Sequence, residues 1–240
     1  MTPALAVSSA ALSSPSRPVA LAGLALAQTA LFLVPIVVLG QAIGWPASLR
    51  LPAAEALPLV GAHPLAVQIG YWAYLLVSLA LVPFALVLRR HLAERGVAGP
   101  LVDTATVIGI VSGVLKTLGI VRWLVAMPML ADAHAAADPA ARAMIEIAYV
   151  TLNAYAGAVG ELLGVQLTGG IYLVLIGLAT RRAGHTILGP AASVIGLLFL
   201  ATATRTIVPD MAGAQALAVP LALSWFVAFA VATLAGHRRA

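Results

Sequence analysis

Six stretches of the chain, at about 19–43, 65–88, 101–130, 157–180, 187–208 and 217–236, are dominated by apolar residues, with polar breaks between them. Each reaches the roughly 20 residues that a helix needs to cross a hydrocarbon core about 30 Å thick. The apolar residues fall in long blocks, unlike the alternating segments of an outer-membrane barrel. A helix also satisfies its own backbone hydrogen bonds in lipid. The pattern predicts an all-α fold: a polytopic helical membrane protein with six transmembrane helices in a single domain over 19–240. Residues 1–18, rich in Ser, Ala and Pro, read as a disordered cytoplasmic tail. The first apolar run is longer than the 7–15 residues of a signal-peptide core, so it reads as a retained span, with Pro35 as a candidate kink.

One segment departs from a plain six-span drawing. Between Pro139 and Arg182 only glycines and a few polar residues interrupt the apolar run. As one helix it would extend roughly 65 Å, about twice the hydrocarbon thickness. Its first part, 140–156, carries Arg142, Glu146 and Asn153, with Ile145, Ala148, Leu152 and Ala156 on one face. This predicts an amphipathic helix on the outer surface that bends into the fourth span near Gly157; a long tilted extension is the alternative.

Composition strengthens the class: 62% of residues are hydrophobic and 9% charged, where soluble domains carry about a quarter charged. The net charge of +5 does not point to a nucleic-acid partner. Arg89, Arg90, Arg95, Arg181, Arg182, Arg238 and Arg239 flank apolar runs instead, where they set topology or touch anionic lipid. Loops rich in Arg alternate with loops holding Glu55, Asp132, Asp138 and Asp210. Six spans in a bacterial inner membrane with both termini cytoplasmic satisfy the positive-inside rule at every loop. The expected partner is therefore the lipid bilayer. With no cysteine, disulfides, thiol catalysis and Cys-ligated metals are excluded.

Two cations lie inside the third run. Lys116 falls at its middle, where a charge costs roughly 2.5–3.5 kcal/mol on insertion scales and so faces protein or water. At 3.6 residues per turn, Gly109, Gly113, Lys116, Ile120 and Trp123 share one stripe, while Arg122 points to a different side. On the next span Asn153, Gly157, Gly160, Glu161, Gly164, Thr168 and Tyr172 form a second stripe. Glu161 and Arg122 sit at comparable depths on antiparallel spans, so an Arg122–Glu161 ion pair is expected, either as a register lock or as part of a site. Arg205 near the outer end of the fifth span reads as an interfacial, snorkelling arginine, with a place in the Arg122–Glu161 layer as the alternative. Gln28 and Gln166 read as interhelical hydrogen-bonding residues, and Trp45, Trp72, Trp225, Tyr71 and Tyr74 as interfacial anchors. Three small-xxx-small pairs, Gly40/Gly44, Gly109/Gly113 and Gly160/Gly164, serve helix packing and offer a homodimer face.

Several chemistries are absent. All five histidines lie in loops or at segment ends, and there is no His-Glu-x-x-His, phosphate-binding loop or Gly-x-Ser-x-Gly elbow. Ser112 lies one turn before Lys116, a spacing compatible with a Ser–Lys dyad but with no supporting third group. Neither an enzyme activity nor a cofactor is expected.

Two motifs carry a family resemblance. One is Gly119-Ile120-Val121-Arg122-Trp123 with Met127-Pro128-Met129-Leu130-Ala131; the other is Asn153-Ala154-Tyr155-Ala156-Gly157 leading into Gly160-Glu161-Leu162-Leu163-Gly164. With Arg182-Ala183-Gly184 and Leu188-Gly189-Pro190, the stretch 101–204 resembles a bacterial multi-pass membrane family of unknown function, DUF4386. The resemblance implies no reaction. It implies that Arg122 and Glu161 belong to a shared feature of the fold. Asn153 and Leu162 stand where that family often carries histidines, so no metal or proton chemistry is carried over.

The resulting expectation is a membrane protein whose polar layer binds a small anionic or amphipathic molecule, or a lipid head group. Lys116 and Arg122 bind its charge, Glu161 orients Arg122, and Asn153 and Tyr155 line the entrance. The alternative is a non-catalytic scaffold or partner subunit whose buried charges only fix helix packing.

Overall fold

The computed structural model describes residues 17–208 and 212–237. The expected 1–18 tail lies outside that range except for Arg17 and Pro18, which open the first helix; Asp210, Arg238 and Arg239 also lie outside it. Among the described residues the fold is all helical: α1 (Arg17–Ile43), α2 (Ala53–Ala62), α3 (Pro64–Glu94), α4 (Pro100–Leu124), α5 (Ala126–Ala136), α6 (Pro139–Gly157), α7 (Gly170–Arg182), α8 (Leu188–Ala203) and α9 (Ala212–His237). A π-helical segment, Ala158–Gly169, joins α6 to α7. Five helical runs are long and apolar enough to cross a membrane: Arg17–Ile43, Pro64–Glu94, Pro100–Ala136, Pro139–Arg182 and Ala216–Gly236. The chain is thus multi-pass. The 16-residue α8, within the expected fifth span, is shorter.

The expected 101–130 span is two helices, broken at Val125 (φ −121°, ψ −64°). Pro128 is the cause, because it has no N–H to give to the carbonyl of Leu124 one turn back. Gln68 of α3 takes its place: its Nε2 donates to Leu124 O at 3.0 Å.

The run from Pro139 to Arg182 is one continuous helical stretch of 44 residues, with helical backbone through Gly157 (φ −61°, ψ −46°) and Ala158 (φ −63°, ψ −40°). Within α6 the polar groups turn toward protein: Arg142 Nε donates to His134 O at 3.1 Å, and His134 Nε2 lies 3.1 Å from Glu146 Oε1. The exposed stripe is apolar, with Met144, Ile147, Val150 and Tyr155. Of the residues expected to share one face, Ala156 is buried and Ile145 and Leu152 partly so, while Ala148 is exposed; Tyr149 is buried.

Packing forms two cores at opposite ends of the bundle. One gathers Leu21, Phe84, Leu88, Trp225 and Phe229, near the arginine-rich loops. The other gathers Leu39, Leu57, Tyr71, Trp123, Met127 and Tyr149, where α2, α5 and α6 close over the ends of α1, α3 and α4. Glycine permits the closest crossing, between α4 and the π segment. A Cβ built on Gly119 would fall 2.8 Å from Gly160 N and 2.9 Å from Ala156 O, which no side chain tolerates. Gly109 sits against the ring of Tyr172, Gly113 against Ser78 O and Gly164 against Lys116, so these small residues are spent on packing within the chain.

Tyr71 and Trp225 are 1% and 3% exposed, not interfacial, while Trp72 is 53% exposed. Tyr71 stacks on Trp123 with centroids 4.9 Å apart and planes 6° apart, and Trp225 Nε1 donates to Leu188 O at 2.8 Å. A buried polar tip facing a partner or a cavity competes with the interface, and here it wins.

Candidate functional site

A cavity of about 1080 Å³ lies between the two cores, bordered by α1, α3, α4, the α6–π–α7 run and α9. Its lining includes Lys116, Arg122, Asn153 and Glu161, four of the five expected site residues. Tyr155 is not among them. It is 73% exposed on the outer face, because two residues along a helix turn it about 200° away from Asn153.

The cavity is wide enough to meet both Lys116 and Arg122, which leave α4 on different sides about 9 Å apart along its axis. Lys116 comes from the middle of α4, and its stem lies where a side chain on Gly164 would be, with Cγ 2.9 Å from a Cβ built there. It is the chain's single lysine. Among the described residues it makes no hydrogen bond or ion pair. Ser112 Oγ donates to Gly164 O at 2.7 Å, so the hydroxyl is directed at a backbone carbonyl instead of at Lys116, and the dyad geometry is not formed.

The expected Arg122–Glu161 ion pair is not formed. Arg122, 8% exposed, folds back along its own helix: Nη1 donates to Gly119 O, Nε donates to Asn153 Oδ1 at 3.1 Å, and the guanidinium lies 5.5 Å from the Trp123 ring centroid. Asn153 completes the relay by donating from Nδ2 to Leu49 O at 3.2 Å, which ties α6 to the turn after α1. Gly157 leaves room for the guanidinium, with Nη2 3.3 Å from a Cβ built there. Glu161 instead accepts from Arg205 Nη2 at 2.6 Å, with both side chains about one quarter exposed. Arg205 therefore reaches into the bundle instead of snorkelling to an interface.

Sequence reasoning missed Arg50, Arg205, Tyr71, Tyr172, Gln28 and Trp45 as cavity residues. For Arg205 the depth argument gave a signal; for the others nothing in the pattern did. Four residues of the lining carry a buried polar atom with no partner in the protein: Gln28 Nε2, Trp45 Nε1, Tyr71 OH and Tyr172 OH. A buried donor left unpaired costs about 1–3 kcal/mol, so a cluster of four calls for water or a ligand. Among the described residues the charged lining is equally one-sided: Arg50, Lys116, Arg122 and Arg205 against the carboxylate of Glu161. Such a chamber is complementary to an anion. Among the described residues no group of three His, Cys, Asp or Glu side chains forms a metal site.

No curated protein and no solved structure matches the chain. The family of the domain of unknown function DUF4386 matches over residues 21–235, almost the whole of it, and the chain belongs to that family.

Proposed function

We propose that the protein crosses a bacterial inner membrane six times, with both termini cytoplasmic, and binds a small anionic or amphipathic ligand in its central cavity for transport or sensing. The observation that carries the ligand reading is a cavity lined both by Lys116, which has no counter-ion among the described residues, and by four residues with unpartnered polar groups. Lys116 supplies the charge that meets the ligand. Tyr71, Tyr172, Gln28 and Trp45 supply hydrogen bonds; Asn153 and the Arg205–Glu161 pair hold the surrounding wall. A pure scaffold accounts for Arg122, which is hydrogen-bonded to Gly119 and Asn153, and for Arg205, which is paired with Glu161, and leaves Lys116 and the four donors without a role.

The six-span reading rests on the course of α8. It starts beside Arg181, where Gly189 packs, and its trailing turn ends at the Arg205–Glu161 pair. Sixteen α-helical residues and a three-residue 3-10 turn (Thr204–Thr206) span about 30 Å, one hydrocarbon thickness. The apolar outer stripe of α6 fits contact with lipid better than contact with water.

The test is a thermal-unfolding screen of the purified protein in neutral-lipid nanodiscs against butyrate, palmitate, hexadecyl phosphate, sulfate and inorganic phosphate. At least one anion class should raise the midpoint saturably in the wild type and have no effect on Lys116→Met. A flat response to the whole panel sinks the ligand reading.

A further inference from the structure

We infer that the ligand is an elongated dianion, its two anionic groups separated by hydrocarbon as in a medium-chain dicarboxylate, with one group on Lys116 and the other on Arg122. The inference rests on the anion-binding reading above and deepens it from one charge to two.

The charge follows from which cavity cations meet a carboxylate. Arg205 does: its Nη2 lies 2.6 Å from Glu161 Oε2. Arg50 is exposed, and water screens it. Arg122 is buried and meets none. Its acceptors, Gly119 O and Asn153 Oδ1, are neutral, so they hold the guanidinium in place and leave its charge uncompensated. Arg122 Nη2 has no acceptor among the described residues and lies 3.3 Å from a Cβ built on Gly157, itself a lining residue. Lys116 has no ion pair among the described residues either. Two uncompensated cations in one low-dielectric chamber are costly, and two negative charges on a ligand offset both.

The separation follows from helix geometry. Lys116 and Arg122 stand six residues apart on α4, about 9 Å along its axis. The neighbouring run keeps the same order, with Lys116 packed at Gly164 and Arg122 at Gly157. The lining residues that carry unpartnered polar atoms divide the same way. Tyr172 packs on Gly109 and Gln28 lies one turn from the core residue Ala25, both on the Lys116 side. Tyr71 stacks on Trp123 and Trp45 packs against Tyr74, both on the Arg122 side. Between the two levels Ile120 and Leu162 line the chamber with hydrocarbon, and the Glu161 carboxylate there is already taken by Arg205. A compact anion reaches one level only. An extended chain covers roughly 1.2 Å per bond, so the seven bonds between the carboxyl carbons of suberate cover about 9 Å. The volume of about 1080 Å³, at the upper end of the roughly 300–1,000 Å³ of ligand pockets, leaves room for a chain that reaches both.

The experiment is titration calorimetry of the full chain in neutral-lipid nanodiscs at about pH 7.5, where both carboxyls of a diacid are ionised. The titrants are suberate, monomethyl suberate, octanoate, succinate and sulfate, each corrected against empty nanodiscs. Suberate should bind at least tenfold more tightly than any of the others. Lys116→Met should weaken suberate at least tenfold and bring it within twofold of its monomethyl ester, because Arg122 alone then meets a charge. Arg122→Gln should do the same from the other end; if that variant fails to fold, the comparison of diacid and monoester in Lys116→Met still decides. A tenfold preference for suberate over the monoester that persists in Lys116→Met would overturn the assignment of the two poles. Monomethyl suberate or octanoate binding the wild type as tightly as suberate would overturn the second charge. Succinate or sulfate doing so would overturn the separation and keep the anion site. Failure of every anion, including the panel above, to bind the wild type would remove the underlying reading as well.

Discussion

The charged residues of the bundle are sorted by partners that a sequence shows only in part. Depth along antiparallel helices brings Arg122, Glu161 and Arg205 to one level, and the structure keeps them there. Which arginine takes the carboxylate is decided locally. The Arg122 side chain finds the free edge of Gly119 O and the amide oxygen of Asn153 before it finds a carboxylate, and backbone acceptors are invisible in a residue pattern. Tyr155, expected beside Asn153 at the entrance, lies instead on the opposite, exposed face, which a spacing of two residues on a helix already implies. The pairing gives a charge-swap test. Glu161→Arg places like charges together and should destabilise by about 1–3 kcal/mol, the cost of an unmet buried polar group. Adding Arg205→Glu should restore most of the thermal midpoint, whereas adding Arg122→Glu should lower it further, because Asn153 and Gly119 then lose their donor. Better rescue by Arg122→Glu would show that the two arginines exchange partners in solution.

At the level of elements, the apolar blocks located the long helices within a few residues, and the errors fall where backbone hydrogen bonding departs from the α pattern. Pro128 splits one expected span, and Gln68 compensates by donating to the orphaned Leu124 carbonyl. Gln68→Leu should therefore cost about 1 kcal/mol. Pro128→Ala restores an N–H one turn after Leu124 and should suppress most of that cost in the double mutant, a coupling that a thermodynamic cycle of unfolding midpoints measures. Additive effects would mean that Gln68 acts elsewhere. The π segment is the second departure. From Ala158 to Gly169 its wider turns bury Gly160, Gly164 and Gln166, and Gly170 follows buried where the α pattern resumes. A third device ties loops together at the arginine-rich end: Arg95 Nη1 donates to His185 Nε2 at 3.0 Å, with His91 and Phe229 nearby. Burial first, and the Arg95 charge second, hold the His185 imidazole below its ordinary range. Its neutral form is favoured by folding, so this contribution is complete above the unfolded value near 6.5 and declines as pH falls through that value toward the lowered folded one. His185→Gln, which still offers Arg95 an acceptor, should flatten the loss of midpoint between about pH 7.5 and 5.5 relative to the wild type.

For the whole molecule, the two cores and the chamber between them depend on how many times the chain traverses the bundle. Hydropathy marks five unambiguous runs and leaves α8 short, so the count rests on contacts: α8 leaves the Arg181 end and reaches Glu161, and α9 returns until Gly236 lies beside Arg95. On the proposed six-span reading, the loop at Ala183 and the end of α9 would lie on one side and the α5–α6 link at Ala137 on the other. On that reading the positive-inside rule would place the first side in the cytoplasm, since Arg17, Arg89, Arg95, Arg181 and Arg182 gather there while Asp132 and Asp138 lie opposite. The chain has no cysteine, so single substitutions read this without background. In intact cells a membrane-impermeant maleimide should label Ala137→Cys and leave Ala183→Cys and Gly236→Cys unlabelled until the cells are opened. Labelling of Gly236→Cys from outside, with Ala183→Cys protected, would mean that α8 turns back within the bilayer. Labelling of Ala183→Cys from outside and protection of Ala137→Cys would invert the whole bundle, placing the lysine chamber in the cytoplasmic half of the membrane.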